Sequence, residues 1–303
     1  MTRRVQEGTT TETPIAELRE GRPRGRYLAC LVSYDGTDFA GFQVQPGQRT
    51  VQAELEAALL RITGETARVI GAGRTDAGVH AIGQVAAFWT QSRLELSELQ
   101  RALNAVLPPD VAVRALQPVP AAFHPRFSAL WREYVYSVQV GPVRSPRWRC
   151  FALYHAQPLD LAAVRRAGQL FIGVHDFAAF AAEEEPGAGT VREVLDVRCW
   201  EEERDDAHLV QIAIRANAFL RHMVRRMIGS LLRVGHGALR AEAIPEIIQS
   251  KDKRLAGPTV APHGLCLVQV AYPPGLFEHG DTAAAGSAAR RTYDHLQDIR
   301  AEG

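Results

Sequence analysis

The chain has 303 residues, 46% apolar and 23% charged, which is ordinary for a globular protein with a sizeable core. Its formal net charge of +1 excludes the basic surplus that alone would announce a polyanion partner. No apolar run approaches the ~20 residues of a bilayer span, and four scattered cysteines (Cys30, Cys150, Cys199, Cys266) form neither a C-x-x-C pair nor a Cys/His cluster, so no zinc site or disulfide framework is expected.

The start, MTRRVQEGTTTETP, has basic residues with no apolar segment behind them. It does not read as a secretory signal, and a cytoplasmic protein is expected. Residues 1–25 are polar and expected to be disordered. Arg26–Tyr34 (RYLACLVSY) is an apolar strand ending in an Asp35-Gly36 turn. Thr50 can cap a helix whose Val51, Leu55, Ala58, Leu59 and Ile62 share one face, stopped by Gly64. Residues 68–72 and 84–90 read as strands. Ser97 with Gln100 forms a capping box for a second helix, which buries Leu99, Leu103 and Val106 and ends at Pro108-Pro109. Val111, Val113 and Ala115 then alternate as a strand.

This order is β-α-β-β-α-β, the ferredoxin-like arrangement. A second pass follows, with strand 131–140, helix 160–171, a hairpin of 194–202 with 208–214, helix 219–234, a shorter helix 242–249 and strand 265–272. The expected fold is α+β. Two ferredoxin-like halves, 26–122 and 123–275, set antiparallel sheets side by side, with helices on one face and a cleft between the halves. Residues 276–303 read as a flexible tail, and the acidic, glycine-rich stretch 183–190 as a solvated loop.

Between two predicted strands lies Gly71-Ala72-Gly73-Arg74-Thr75-Asp76-Ala77-Gly78-Val79-His80. It is neither a dinucleotide fingerprint, since no glycine-opened helix follows, nor a P-loop, since Gly-Lys-Ser/Thr is missing. A tight loop remains, with a carboxylate beside a guanidinium. Asp76 can be a turn-former paired with Arg74, or a reactive group. His80, four residues on, leaves open an Asp-His relay.

The string GRTDAGVHA (73–81) resembles the signature of the TruA family of tRNA pseudouridine synthases. Five further segments resemble family motifs in the family's order: YDGTDFAGFQ (34–43), HPRFSALWREYVYSV (124–138), HDFAAF (175–180), RANAFLRHMVRRMIGSLLRVG (215–235) and AGPTVAPHGLCLVQVAY (256–272). The resemblance implies that Asp76 is the nucleophile and that Arg225 pairs with it. It implies that Tyr134 packs on the target uracil, with Leu267 beneath the base and Arg74 beside Asp76 in the loop. It also implies a tRNA substrate (anticodon stem-loop and elbow), uridines 38, 39 and 40 as targets, a homodimer, and no cofactor, metal or membrane. Phe42 stands where the family has Trp, and Glu133 where an Arg is common.

Those residue types suit the reaction. Isomerising uridine moves ribose C1′ from base N1 to C5 without net redox change or hydrolysis. The resemblance implies an ionised carboxylate that attacks C1′ or C6. Desolvation would neutralise it, and a guanidinium that stays charged opposes that shift. The target must be flipped from its stack, at a cost partly recovered on an aromatic such as Tyr134. Tyr134 can equally be core, in phase with Tyr136. In helix 219–234, Phe219, Met223, Met227, Ile228, Leu231 and Leu232 form an apolar face. Arg221, His222, Arg225, Arg226 and Arg233 read as a solvated basic face or a phosphate rail. Arg144, Arg147 and Arg149 make a second basic patch. Two rivals remain. One is a non-catalytic RNA binder, which lacks the expected RNP1 string. The other is a hydrolase built on Asp76 and His80, which lacks a nucleophile elbow or metal cluster.

Overall fold

The computed structural model describes residues 25–182, 189–204 and 206–278. The segments read as disordered, as a tail and as a solvated loop therefore lie almost wholly outside the described residues. Strand β1 (Arg26–Tyr34) forms where the sequence is continuously apolar and is buried on both faces over most of its length. Helix α1 (Val51–Thr63) starts where the Thr50 side chain accepts the Ala53 amide hydrogen, and it stops at Gly64, which takes φ 72°.

Two short-range expectations are corrected. Helix α2 (Leu96–Val106) is capped by Glu95, whose side chain and that of Glu98 form the capping box; Ser97 lies inside the first turn and is exposed. Strand β2 is only Ile70–Gly71, whereas β3 (His80–Thr90) begins four residues earlier than the alternation indicated. The loop between them shrinks to 72–79, which leaves Asp76 on a tighter support.

The remaining elements are β4 (Val111–Pro118), β5 (Trp131–Val140), β6 (Leu153–His155), α3 (Leu161–Gln169), β7 (Gly173–Asp176), β8 (Val191–Arg204), β9 (Ala207–Ala216), α4 (Met223–Gly235), α5 (Ala243–Ser250) and β10 (Leu265–Ala271). The strands join in one ten-stranded sheet, ordered β4-β1-β3-β10-β5-β9-β8-β7, with β2 on β3 and β6 on β5. The last strand among the described residues, β10, thus lies at the centre. Leu267 pairs with Ala81 of β3 in parallel and with Tyr134 of β5 antiparallel.

Side chains alternate across this sheet. Tyr134, Tyr136, Ile212, Ile214, Leu265 and Leu267 join the large apolar cluster that also holds the buried faces of the five described helices. Val135, Ala213 and Cys266 point the other way, into a smaller cluster under Trp148, Phe151 and Ala152. No helix among the described residues is long and apolar enough to cross a membrane.

Buried polar groups fix the turn after β1. Asp35 is buried, accepts the Thr37 amide hydrogen and lies 3.2 Å from His80 Nδ1. Burial works against its carboxylate, but His80 and Thr37 outweigh it and hold the pKa below the usual carboxylate range. A depressed folded-state pKa contributes stability above the unfolded value, near 3.8, and loses it as pH falls below that value. Asp35→Asn is therefore expected to lower stability by about 1–3 kcal/mol at pH 7. In urea melts the gap from wild type should narrow from about pH 4 downward. A gap that stays constant to pH 3 would contradict this.

Candidate active site

Loop 72–79 is held from both sides. The Thr75 carbonyl accepts the Phe42 amide hydrogen, the Phe39 carbonyl accepts that of Gly78, and the Thr75 hydroxyl lies 2.8 Å from the Tyr34 hydroxyl. Gln84 Nε2 donates to the Gly73 carbonyl at 2.9 Å. Gly41 has φ 103°, and a Cβ there would lie 2.6 Å from the Thr75 carbonyl oxygen, so only glycine allows the two segments to meet. The segment 34–43 therefore acts as a brace for the loop. Phe42 is buried in that brace, its ring 6.4 Å from that of Tyr34.

Asp76 does not pair with its loop neighbour. Its Oδ2 accepts from Arg225 Nη1 at 2.9 Å, across 149 residues of sequence, while Arg74 is exposed. The Asp76 side chain is 29% exposed and that of Arg225 14%. Arg225 is fixed in turn, its Nε donating to the Val260 carbonyl at 2.8 Å. Helix α4 presses closely on that stretch: a Cβ on Gly229 would lie 2.0 Å from the Pro258 carbonyl oxygen, and Ser230 Oγ accepts the Gly257 amide hydrogen at 2.7 Å. A second group, His222 Nε2, stands 3.6 Å from the same Oδ2. Among the described residues no hydrogen bond engages Asp76 Oδ1.

From the sequence His222 reads only as part of the basic face, with nothing to place it beside Asp76. It precedes α4 at φ 64°, a conformation that costs a non-glycine residue about 1–3 kcal/mol and concentrates at functional sites. Burial, then the positive charge of Arg225, Arg221 and Arg226, outweigh Asp76 and push its pKa below the usual histidine value. This turn also corrects the expected helix start, since α4 begins at Met223 rather than 219.

Tyr134 lies at the floor, 8% exposed, its ring edge-on to Phe219 with centroids 5.2 Å apart. Burial raises its phenol pKa far above the ordinary value. A Cβ on Gly73 would lie 4.0 Å from the Tyr134 hydroxyl, which places the loop beside that side chain. Leu267 is fully buried beside Tyr134 in register. Asp76, Arg225, Tyr134 and Leu267 are thus brought to one region.

The structure gives several of the sequence readings a definite place. His80 makes no relay with Asp76. It is buried, its Nδ1 lies between the Gly36 amide nitrogen, 2.9 Å away, and the Asp35 carboxylate, and its Nε2 lies 2.8 Å from the Cys150 carbonyl. Part of the basic face of helix 219–234 is engaged within the protein. Arg225 serves Asp76, and Arg226 donates to the Ala181 and Lys253 carbonyls, while Arg221 is exposed and Arg233 half-buried. Arg144, Arg147 and Arg149 flank Trp148, which packs into the smaller cluster on the other side of the sheet from Tyr134. Glu133 also faces that side, 2% exposed, its Oε2 2.8 Å from Arg198 Nη2 and 2.7 Å from Arg215 Nη2. Its charge is neutralised within the protein.

Arg132 is a positioning residue that the sequence reading missed. In phase with Tyr134 and buried, it donates from Nη2 to the carbonyls of Ala72 and Arg126 and from Nη1 to that of Asn217. One guanidinium therefore ties the start of the Asp76 loop to the turn before β5 and to the segment leading into α4. Arg132→Met leaves three carbonyls without this donor and is expected to cost about 2–4 kcal/mol in chemical denaturation. Arg132→Lys should recover only part, because an ammonium cannot span the same fork. Full recovery by lysine would contradict the clamp.

Comparison with known proteins bears on this geometry. The tRNA pseudouridine synthase family profile matches residues 30–128 and 167–273. The chain is 46% identical over 252 residues to tRNA pseudouridine synthase A of Chloroflexus aurantiacus, covering 83% of this chain and 91% of that protein. It is 46% identical over 272 residues to tRNA pseudouridine synthase A of Roseiflexus castenholzii, covering 89% of this chain and 100% of that protein. With tRNA pseudouridine synthase A of Shouchella clausii, identity is 42% over 82% of this chain and 95% of that protein.

Proposed function

Because this chain belongs to the tRNA pseudouridine synthase family, we propose that Asp76 is the nucleophile with which it isomerises uridine to pseudouridine in tRNA. The observation that carries this reading is the one-sided hold on the carboxylate. Arg225 takes Oδ2, and Oδ1 is left to engage the nucleotide. The guanidinium keeps the carboxylate ionised as a bound base excludes water. Only the charged oxygen can attack.

In this reading the target uridine is swung out of its stack and laid against Tyr134, with Leu267 beneath it and Arg74 reaching the RNA from the loop rim. Attack by Asp76 releases the bond from C1′ to N1. The base turns within the pocket, C1′ bonds to C5, the bond to the Asp76 oxygen breaks and restores the carboxylate, the hydrogen formerly on C5 leaves as a proton, and N1 takes one up. Nothing is oxidised, reduced or hydrolysed. Two ferredoxin-like halves, 26–122 and 123–275, would place the site between them, consistent with Asp76 coming from the first and Arg225 from the second. Uridines 38, 39 and 40 of the anticodon stem-loop, contacts to the tRNA elbow, a homodimer and a cytoplasmic location complete the proposal, on the strength of the family motifs.

The test is tRNA carrying tritium at uridine C5. The protein is expected to release label into water while the RNA chain stays intact and no uracil is freed. A hydrolase would free base or cut the chain, and a binding protein would leave the label in place. Either result would overturn the reading.

A further inference from the structure

Phe127 is a large apolar side chain left 76% exposed. A lone exposed apolar residue is ordinary, but the support of this one is not. Its turn is ordered by its own polar groups. His124 Nδ1 accepts the amide hydrogens of Arg126 and Phe127 at 3.1 and 3.3 Å, and Ser128 Oγ accepts that of His124 at 3.0 Å. Burial, then Arg126, lower the His124 pKa, which favours the neutral ring that can accept in this way. The His124 ring lies 4.4 Å from that of Phe127, and the Arg126 guanidinium carbon 5.6 Å from the Phe127 centroid.

The same turn is bolted to the loop that carries Asp76. Arg132 Nη2 donates to both the Arg126 and the Ala72 carbonyls, so backbone one residue from Phe127 and four residues from Asp76 meets on one nitrogen. An aromatic face is thus held rigidly near the site, with a guanidinium beside it and no protein atom required to cover it. A ring and a guanidinium together are what sequence-tolerant base stacking uses. Extruding one nucleotide strips a stacking partner from its neighbours, and a preformed ring can replace that partner.

We propose that Phe127, with Arg126, is a stacking platform for the nucleobase adjacent to the target uridine in the bound RNA. This rests on the reading of Asp76 as the catalytic centre. The platform belongs to substrate holding, since Phe127 touches none of the proposed reacting groups.

The experiment uses the full chain and a fluorescent tRNA transcript, comparing wild type with Phe127→Ala, Phe127→Leu and Phe127→Trp. Alanine is expected to weaken binding on the order of tenfold. Leucine should lose nearly as much despite its apolar bulk, and tryptophan should bind as wild type. Thermal melts of all three should coincide with wild type, because the side chain is exposed. Unchanged affinity in the alanine variant, or leucine binding as well as phenylalanine, would overturn the proposal. So would an alanine variant that alters sedimentation mass but not tRNA affinity, which would place a second copy of the chain on the ring. Asp76→Asn with Phe127 intact separates the two readings. Label release by that variant defeats the catalytic assignment alone, whereas a flat Phe127 series with normal wild-type release defeats the platform alone.

Discussion

Asp76→Asn is expected to lower single-turnover isomerisation by at least about 1,000-fold while tRNA affinity changes less than about threefold. The substitution keeps the shape of the side chain and an oxygen that can still accept from Arg225 Nη1, 2.9 Å away in the wild type. It removes the charge, and an amide oxygen is too weak a nucleophile to replace a carboxylate. Binding should persist because the loop is braced by Thr75, Gly73 and Gly78 contacts that do not involve the residue-76 side chain. Some stability is also lost, about 1–2 kcal/mol, since Arg225 keeps a partly buried charge without its counterion. Retained turnover, or turnover lost only in proportion to tRNA affinity, would remove Asp76 from the chemistry.

Arg225→Ala gives the second large effect. A fall in the chemical step of about 100-fold or more is expected, comparable with removing a preorganised charge from a transition state. Arg225 does two things at once, orienting Asp76 through Nη1 and anchoring to Val260 through Nε. Lysine can supply a charge but not both bonds, so Arg225→Lys should fall between wild type and alanine. The two residues act as a unit, and the double variant with Asp76→Asn should be no slower than Asp76→Asn alone. If Arg225→Ala weakens tRNA binding enough to explain its lost activity, or if the double variant loses the product of both effects, the ion pair is not the working element.

The legible parts of this protein were those written locally. Strand Arg26–Tyr34 and helix Val51–Thr63 follow from an apolar run and from a Thr50 cap with a Gly64 stop, all within reach of nearest neighbours. The cap of α2 was misplaced because Glu95 served where serine is the usual choice, and glutamate at an N-cap carries little local signal. Strands Leu153–His155 and Gly173–Asp176 were missed because three or four residues show no periodicity. Helix 219–234 was read too long because apolar spacing continues through a turn that His222 breaks at φ 64°.

The site was less legible still. Nothing in spacing joins Asp76 to Arg225 across 149 residues, and without the family motifs Arg74 was the natural partner. Arg132, and His222 beyond its place in a basic face, carry no local signal for the same reason: each matters through segments far away in sequence. One signal was available. Arg132 lies in phase with Tyr134 and Tyr136 on a strand whose alternate residues face the core, and a buried guanidinium there had to find several acceptors.

The most direct measurement maps pseudouridines in tRNA from cells that lack this protein and are then supplied with wild type or Asp76→Asn. Wild type should restore pseudouridine at specific tRNA sites, with 38, 39 and 40 the expected set, and the asparagine form should restore none while accumulating to the same level. Modification restored by the asparagine form would show that the carboxylate beside Arg225 is not the group that engages the base.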